Sequence, residues 1–313
     1  MYHPYFRGKQ FELLAIRETA PTMAAAGFVA LIEPVRESLN GLSRALDAVR
    51  DAGARAVVIV NPRHGDHRRG GDGIATLLDR EYRGVDTIAA GILLRSDTAP
   101  SAVPQLVAPY SDQDLFVIHS GFTDASTAAA ELNGHSAVTN VFVEGQANML
   151  YRRHFSGGER ILLRDGFERK RNSDYGEVDN FSDLHATFQD LGMNGYGDFL
   201  TVGDYYSEGG GPAYAVAIHL TFINPARDDA MFIYHFVSDS NDTPTDPAGK
   251  FAQALAKLIA RLDRGDSHLL ETSAIEEFRQ LYTQGHFPGL GYVKKLSIKH
   301  HIETLADYHL TRR

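Results

Sequence analysis

The sequence predicts an α/β chain built as a (β/α)8 TIM-type barrel, followed by a β-hairpin and a helical extension. Three observations carry this. Short apolar runs alternate with helical patterns eight times before about residue 205, which is the rhythm of βα units. The runs are apolar throughout, as in parallel strands covered on both faces. No glycine-rich phosphate fingerprint follows an early run, and the Gly70-Gly71 pair precedes no Lys-Ser/Thr. That disfavours a doubly wound sheet that binds nucleotides at its first turn.

The first strand is predicted at residues 2–6. A helix over 9–20 follows, with Phe11, Leu14 and Ala15 near helical spacing. Residues 28–35 form the second strand. Ser38 caps a helix whose face carries Leu39, Leu42, Leu46 and Val49, and Gly53 ends it. Strands three to seven are predicted at 55–61, 87–94, 115–119, 138–144 and 160–164. Helices are expected at 74–82, 102–108, 125–132 and 146–154. A helix over 181–191 precedes the eighth strand at 199–203. Beyond residue 205 the pattern changes. Residues 214–223 and 231–237 read as an antiparallel hairpin around a turn at 225–229, and helices follow at 250–262, 274–282 and 292–310. The barrel is thus assigned to 1–205 and the extension to 206–313, packed as one structural domain.

Composition bounds the function. With 43% hydrophobic and 23% charged residues the chain reads as globular. No apolar run approaches the ~20 residues of a membrane span, and Met1-Tyr2-His3-Pro4 does not open a signal peptide. Cysteine is absent, which excludes disulfides, thiolate metal sites and thiol nucleophiles and fits a cytoplasmic protein. A net charge of −9 disfavours nucleic acid as a direct ligand. Basic residues cluster only locally, at Arg169-Lys170-Arg171 and at Lys294, Lys295, Lys299, His300 and His301.

Barrel enzymes place their chemistry at the C-terminal strand ends. Those ends carry Arg7 and Lys9, Glu33, Asn61 to His64, Arg95, His119, Glu144, Arg164-Asp165 and Asp204. Charges that directly follow apolar runs are costly to bury unless paired or ligand-bound. Glu33, Glu144, Asp165 and Lys9 are therefore the catalytic candidates. Arg7, Asn61, Arg95, His119, Arg171 and Asp204 are the substrate-binding candidates. Glu33, Glu144, Asp165 and Asp204 could hold Mg²⁺ or Mn²⁺, with His64, His67 and His119 as further donors, although none has the spacing of a metal motif. The arginines of the loop after strand seven suit a phosphate group. The competing reading is a ring of mutual salt bridges that plugs the barrel. In the hairpin, His219 and His235 fall nearly opposite each other, with Ser238 and Asp239 next. A Ser/His/Asp triad is one reading of these residues; no nucleophile-elbow sequence surrounds Ser238 and adjacent strand residues point to opposite faces, so structural histidines are the favoured reading.

Several short motifs occur in a fixed order. Tyr2-x-Pro4-Tyr5-x-Arg7-Gly8-Lys9-Gln10-x-Glu12, Ile32-Glu33-Pro34 and Asn61-Pro62 resemble the bacterial and phage Beta protein family. Arg171-Asn172-x-Asp174-Tyr175, Phe181-Ser182-Asp183-x-His185, Ala217 to Thr221 and His235 to Asp239 are similar to one bacterial branch of it. The resemblance spans most of the chain, to about residue 260. It implies a barrel-like fold and supplies no catalytic residue. It also implies a nuclease-like protein partner in a phage-defence setting.

Two functions follow as expectations. The first is a barrel hydrolase or lyase, metal-assisted or phosphodiesterase-like, acting on a small anionic substrate that is phosphorylated or nucleotide-like. The second is a non-catalytic binding subunit of a nuclease-like partner.

Overall fold

The computed structural model describes residues 1–135, 137–209, 211 and 213–312. Two compact units emerge, one from Met1–Asp165 with Thr187–Phe199, the other from Gly166–Ala186 with Leu200–Arg313.

The first unit is the barrel. Its parallel strands are β1 (Tyr5–Phe6), β2 (Val29–Ile32), β3 (Arg55–Ile59), β4 (Ile88–Arg95), β5 (Leu115–Ser120), β6 (Val138–Val143), β7 (Glu159–Leu163) and β9 (Gly195–Gly197), paired in that order. The last strand returns to the first. Tyr2 bridges Tyr196, and the amides of His3 and Tyr5 donate to the carbonyls of Tyr196 (2.7 Å) and Asp198 (2.9 Å). Gly197 makes this seam possible. A Cβ there would lie 2.1 Å from the His3 carbonyl oxygen, closer than any side chain tolerates.

Helices α1 (Gln10–Ala26), α2 (Asn40–Asp51), α3 (Asp72–Leu77), α4 (Val103–Val107), α5 (Ala125–Leu132) and α6 (Met149–Arg152) connect the strands. Helix α1 runs through Pro21, past the end predicted at residue 20. Proline costs a helix one hydrogen bond, but Ile16, Ala20, Met23 and Ala26 are all buried on this helix, and their burial favours continuation. Gly27, at φ 71°, then ends it.

Strand parity decides what can meet at the barrel mouth. Tyr5, Leu31, Ile59, Leu93, Ile118, Val143 and Leu163 belong to one buried cluster that fills the barrel. Side chains alternate along a strand, so Arg7, Glu33, Asn61, Arg95, Ser120 and Asp165, each two residues further on, continue the inward row. Glu144, Arg164 and His119 have the opposite parity.

The second unit is a three-stranded antiparallel sheet in the order β10 (Ala217–Asn224), β11 (Ala230–Val237), β8 (Val178–Ser182). The hairpin turns where predicted, with Asp228 and Asp229 at φ 53° and 59°. Helices α8 (Pro247–Asp263), α9 (Ser273–Gln284) and α10 (Leu290–Thr311) belong to the same unit, after the short α7 (Leu184–Thr187). Phe222, Phe236, Phe251, Leu258, Phe278 and Leu296 share its core.

Two predicted elements differ from those observed. The sequence reads residues 181–191 as a helix with Ser182 near its N-cap. The structure instead ends β8 at Ser182, paired with Met231, and leaves only α7 helical. The eighth barrel strand lies at Gly195–Gly197, not 199–203, where Leu200 has a φ of 56° that breaks an extended run. The segment 166–186, placed in the barrel by its position before that strand, supplies the edge strand of the second unit.

Candidate functional site

Glu33 follows β2 and is completely buried. One carboxylate oxygen accepts hydrogen bonds from the Tyr5 hydroxyl (2.9 Å) and the Arg7 guanidinium. The other accepts from the backbone amides of Arg63 (2.8 Å) and His64 (3.0 Å) and from His64 Nδ1 (3.1 Å). Nδ1 of His64 therefore carries a proton. Burial alone would raise the pKa of this carboxyl. The hydrogen bond from His64, the Arg7 charge and the Tyr5 hydroxyl outweigh it together and hold the pKa at about 2.

Local geometry sets up this cluster. Gly65, at φ 72°, turns the segment after β3 so closely that a Cβ would lie 2.0 Å from the Val35 carbonyl oxygen, and the Asp66 amide bonds to that same oxygen at 3.1 Å. The turn brings the amides of Arg63 and His64 onto Glu33. The Arg7 guanidinium lies 5.0 Å from the ring centre of Tyr5 and 5.5 Å from that of Phe199, within cation–π range. The Arg7 amide donates to the buried Glu12 carboxylate at 2.6 Å.

The rest of the inward row is more varied. Arg95 is one-quarter exposed and pairs with Asp97 at 3.0 Å. Asn61 spends both ends of its amide on the backbone of Leu93, at 2.9 and 2.8 Å, and so extends the β3–β4 ladder. The Ser120 hydroxyl donates to Gln146 at 2.6 Å. Asp165 is exposed, and Lys9 is half-buried just before α1.

Of the other predicted residues in this unit, Glu144 and His119 do not join this row. Glu144 and Arg164 point outward and form a two-pronged ion pair with contacts of 2.6 and 3.0 Å. His119 also points outward, into the layer where Tyr151 and Phe155 pack. Its Nδ1 accepts from the Tyr151 hydroxyl at 2.7 Å, and its Nε2 donates to Asn140 at 3.0 Å. Phe142 and Phe155 flank its ring. Burial pushes its pKa down to about 4, against the opposing effect of the hydrogen bond it donates to Asn140, so the imidazole is neutral at pH 7. Arg171 and Asp204 are exposed residues of the second unit. The four carboxylates proposed as a metal set do not fit that role. Among the described residues, no group of three or more histidine or acidic side chains converges on one point.

In the second unit His219 and His235 do face each other across β10 and β11, Nδ1 to Nδ1 at 2.7 Å. One nitrogen must donate and the other accept, so the pair shares one proton along this line. Asp179, held by Lys170 at 2.9 Å, lies 3.4 Å from His235 Nε2. Tyr175 stacks on His235 at 4.3 Å, and Phe167 meets His219 edge-on at 5.0 Å. Burial lowers the His219 pKa to about 3 and that of His235 to about 4; the neighbouring imidazole lowers His219 further. Ser238 takes no part. Its hydroxyl accepts from the Val216 amide and donates to the Ser240 carbonyl, while Asp239 pairs with Lys257.

Sequence reasoning missed Tyr5, Phe199, Tyr151, Asn140 and Asp179. Tyr5 stood inside a strand, where its hydroxyl gave no signal. Asn140 was the one visible hint, a polar residue inside an otherwise apolar run.

No protein-family model and no curated protein matches the sequence. The class of the first unit therefore rests on its geometry, and that class is the TIM-type (β/α)8 barrel. No helix of the described residues is long and apolar enough to cross a membrane.

Proposed function

We propose that the barrel is an enzyme, a hydrolase or lyase that acts on a small phosphorylated substrate at the C-terminal face of its strands. The observation that carries this is the inward row with two arginines, one of them, Arg7, locked in place by the buried Glu33. A guanidinium fixed before the ligand arrives needs little reorganisation to hold an anion. In this reading Glu33 is a positioning residue, because its five donors and pKa of about 2 make it a poor base at neutral pH. In the same reading Arg95 binds the anion, and Asp165, exposed just after β7, takes the role of proton transfer. Lys9 adds positive charge.

Calorimetric titration with inorganic phosphate tests the reading. Wild-type protein is expected to bind it, and Arg95→Ala to bind about ten-fold more weakly with an unchanged melting temperature. Absence of heat in wild type, or an Arg95→Ala curve that overlays it, counts against the proposal.

The saturation of Glu33 favours a second reading, in which the barrel mouth is a self-neutralised plug and the protein a binding subunit. Likeness to the Beta protein family supports a nuclease-like partner in phage defence for that case. Failure to co-purify with such a neighbour at micromolar concentration counts against it.

A further inference from the structure

We infer that the outer edge of β8 receives an extended, lysine- or arginine-bearing segment of a partner protein, added as a further strand to the second unit's sheet. Among the described residues β8 pairs only with β11 and forms the margin of that sheet. The register tells which of its backbone groups are open. The His235 amide donates to the Glu177 carbonyl at 3.0 Å, and Ile233 stands opposite Asp179. Bonded and unbonded pairs alternate along an antiparallel ladder. Glu177 and Asp179 therefore turn their N–H and C=O groups toward β11, and Val178 and Asn180 turn theirs outward. No hydrogen bond among the described residues takes up that outward set. Val178 is 38% exposed, and Asn180 is exposed as well.

The open stretch has limits. On one side it continues, since a Cβ on Gly176 would meet nothing within 4 Å. On the other it ends at Phe181. Ser182 stands opposite Met231 and Asn180 opposite Phe232, so Phe181 is the extra residue of a bulge. A Cβ on Gly166 would lie 2.7 Å from the Phe181 carbonyl oxygen, so the chain's own backbone covers the edge there. Open groups on an edge strand are a template for an added strand.

Charge selects the occupant. Glu177, Asp179 and Asp183 occur along this segment with no cation between them. The cations that answer them are each shared with a second carboxylate. Lys170 holds Asp179 at 2.9 Å and Glu168 at 3.1 Å, and Arg261 holds Glu177 at 3.0 Å and Asp266 at 3.3 Å. With the exposed Asp183 and Arg264 included the neighbourhood stays acidic, and so does the chain, at −9. A second copy suits this edge badly. Pairing Val178 of one copy with Asn180 of the other sets Asp179 opposite Asp179, and the next register sets Glu177 opposite Asp183. Like charges placed opposite each other destabilise a strand pair. Charges and a bulge are the ordinary means of keeping an edge from its own kind. Here they leave it open to a strand of opposite charge.

Fluorescence anisotropy of the full chain with a labelled short peptide alternating lysine and valine tests this. Two copies of the peptide serve as controls, one N-methylated at alternate residues, the other with glutamate for lysine. The lysine peptide is expected to bind, and both controls to bind about ten-fold more weakly or less, the N-methylated one because it keeps the charge and loses its backbone donors. Asn180→Pro removes one outward N–H at a place where an edge strand accepts proline, and should weaken the lysine peptide by about ten-fold, whereas Asn180→Ala should bind as wild type does. The peptide controls decide the matter even where the proline variant fails to fold. No binding at millimolar peptide overturns the proposal, as does an N-methylated or glutamate copy that binds equally well. Sedimentation that shows a dimer lost in Asn180→Pro would assign the edge to a second copy and overturn it too. None of these outcomes touches the reading of the barrel.

Discussion

Replacing Glu33 by glutamine removes one charge and no volume, so it isolates the electrostatics of the barrel mouth. The carboxylate accepts from five donors, and Arg7 beside it is only 5% exposed. Glutamine offers one carbonyl oxygen and an amide nitrogen that can only donate. Either Arg7 and Tyr5 or the turn at 63–64 then faces a donor, and the Arg7 charge stays buried without its counter-ion. Breaking one partner of a buried pair costs about 3–5 kcal/mol. For a unit of this size roughly 2–4 °C of melting temperature accompanies each kcal/mol, so a fall of roughly 6–20 °C is expected. Differential scanning calorimetry reads it directly, with a urea melt to supply the free energy. A double variant, Arg7→Met/Glu33→Leu, supplies the control. Removing both charges should restore much of the loss, since apolar replacement of a buried pair is often neutral. A Glu33→Gln protein that melts within about 2 °C of wild type refutes the reasoning. A double variant as unstable as the single one assigns the loss to packing rather than to charge.

Acid should destabilise the fold well above the range of carboxylates. Burial holds His3 and His219 at a pKa of about 3 and His119, His235 and His300 at about 4. The unfolded chain takes up these protons below about 6.5 and the folded chain does not. Stability is therefore full above pH 6.5 and falls as the pH drops from there toward 4. Glu33, lowered to about 2, adds a loss in the same direction below pH 4.5. A urea midpoint that stays flat from pH 7.5 to 5 contradicts this. At the barrel seam, Gly197→Ala drives a Cβ onto the His3 carbonyl, whereas Gly157→Ala meets nothing within 4 Å. The first should lower stability by about 1–3 kcal/mol or more and the second by less than about 0.5 kcal/mol; equal melting temperatures for both would remove the steric account.

The strand rhythm was legible because a parallel barrel buries both strand faces and writes each strand as one apolar block. That same property hid the parity. Phe142 and Val143, or Leu162 and Leu163, are equally buried on opposite faces, so the order of residues alone did not tell that Glu33 points in and Glu144 out. The eighth strand was missed for a different reason. Gly195-Tyr196-Gly197 carries no β-branched residue, because its glycines answer to the closeness of the first strand and not to strand propensity. His219 and His235 were readable as partners, since an antiparallel hairpin with a recognisable turn fixes its own register. Asp179, their third neighbour, arrived on a strand from a distant part of the chain, and no local pattern announces such a contact.

The seam between Tyr2 and Tyr196 also orders events in time. During synthesis the first strand can pair with the second as soon as both have emerged, yet its other edge waits for residues 196–198. Between them come the whole of the barrel wall and the segment 166–186, whose edge strand needs β11, still later in the chain. Until then the barrel is an open sheet with two unsatisfied margins, and loops of this length close slowly. Nascent chains of this protein are thus expected to lean on chaperones, or on slow translation, in the interval before the ring shuts.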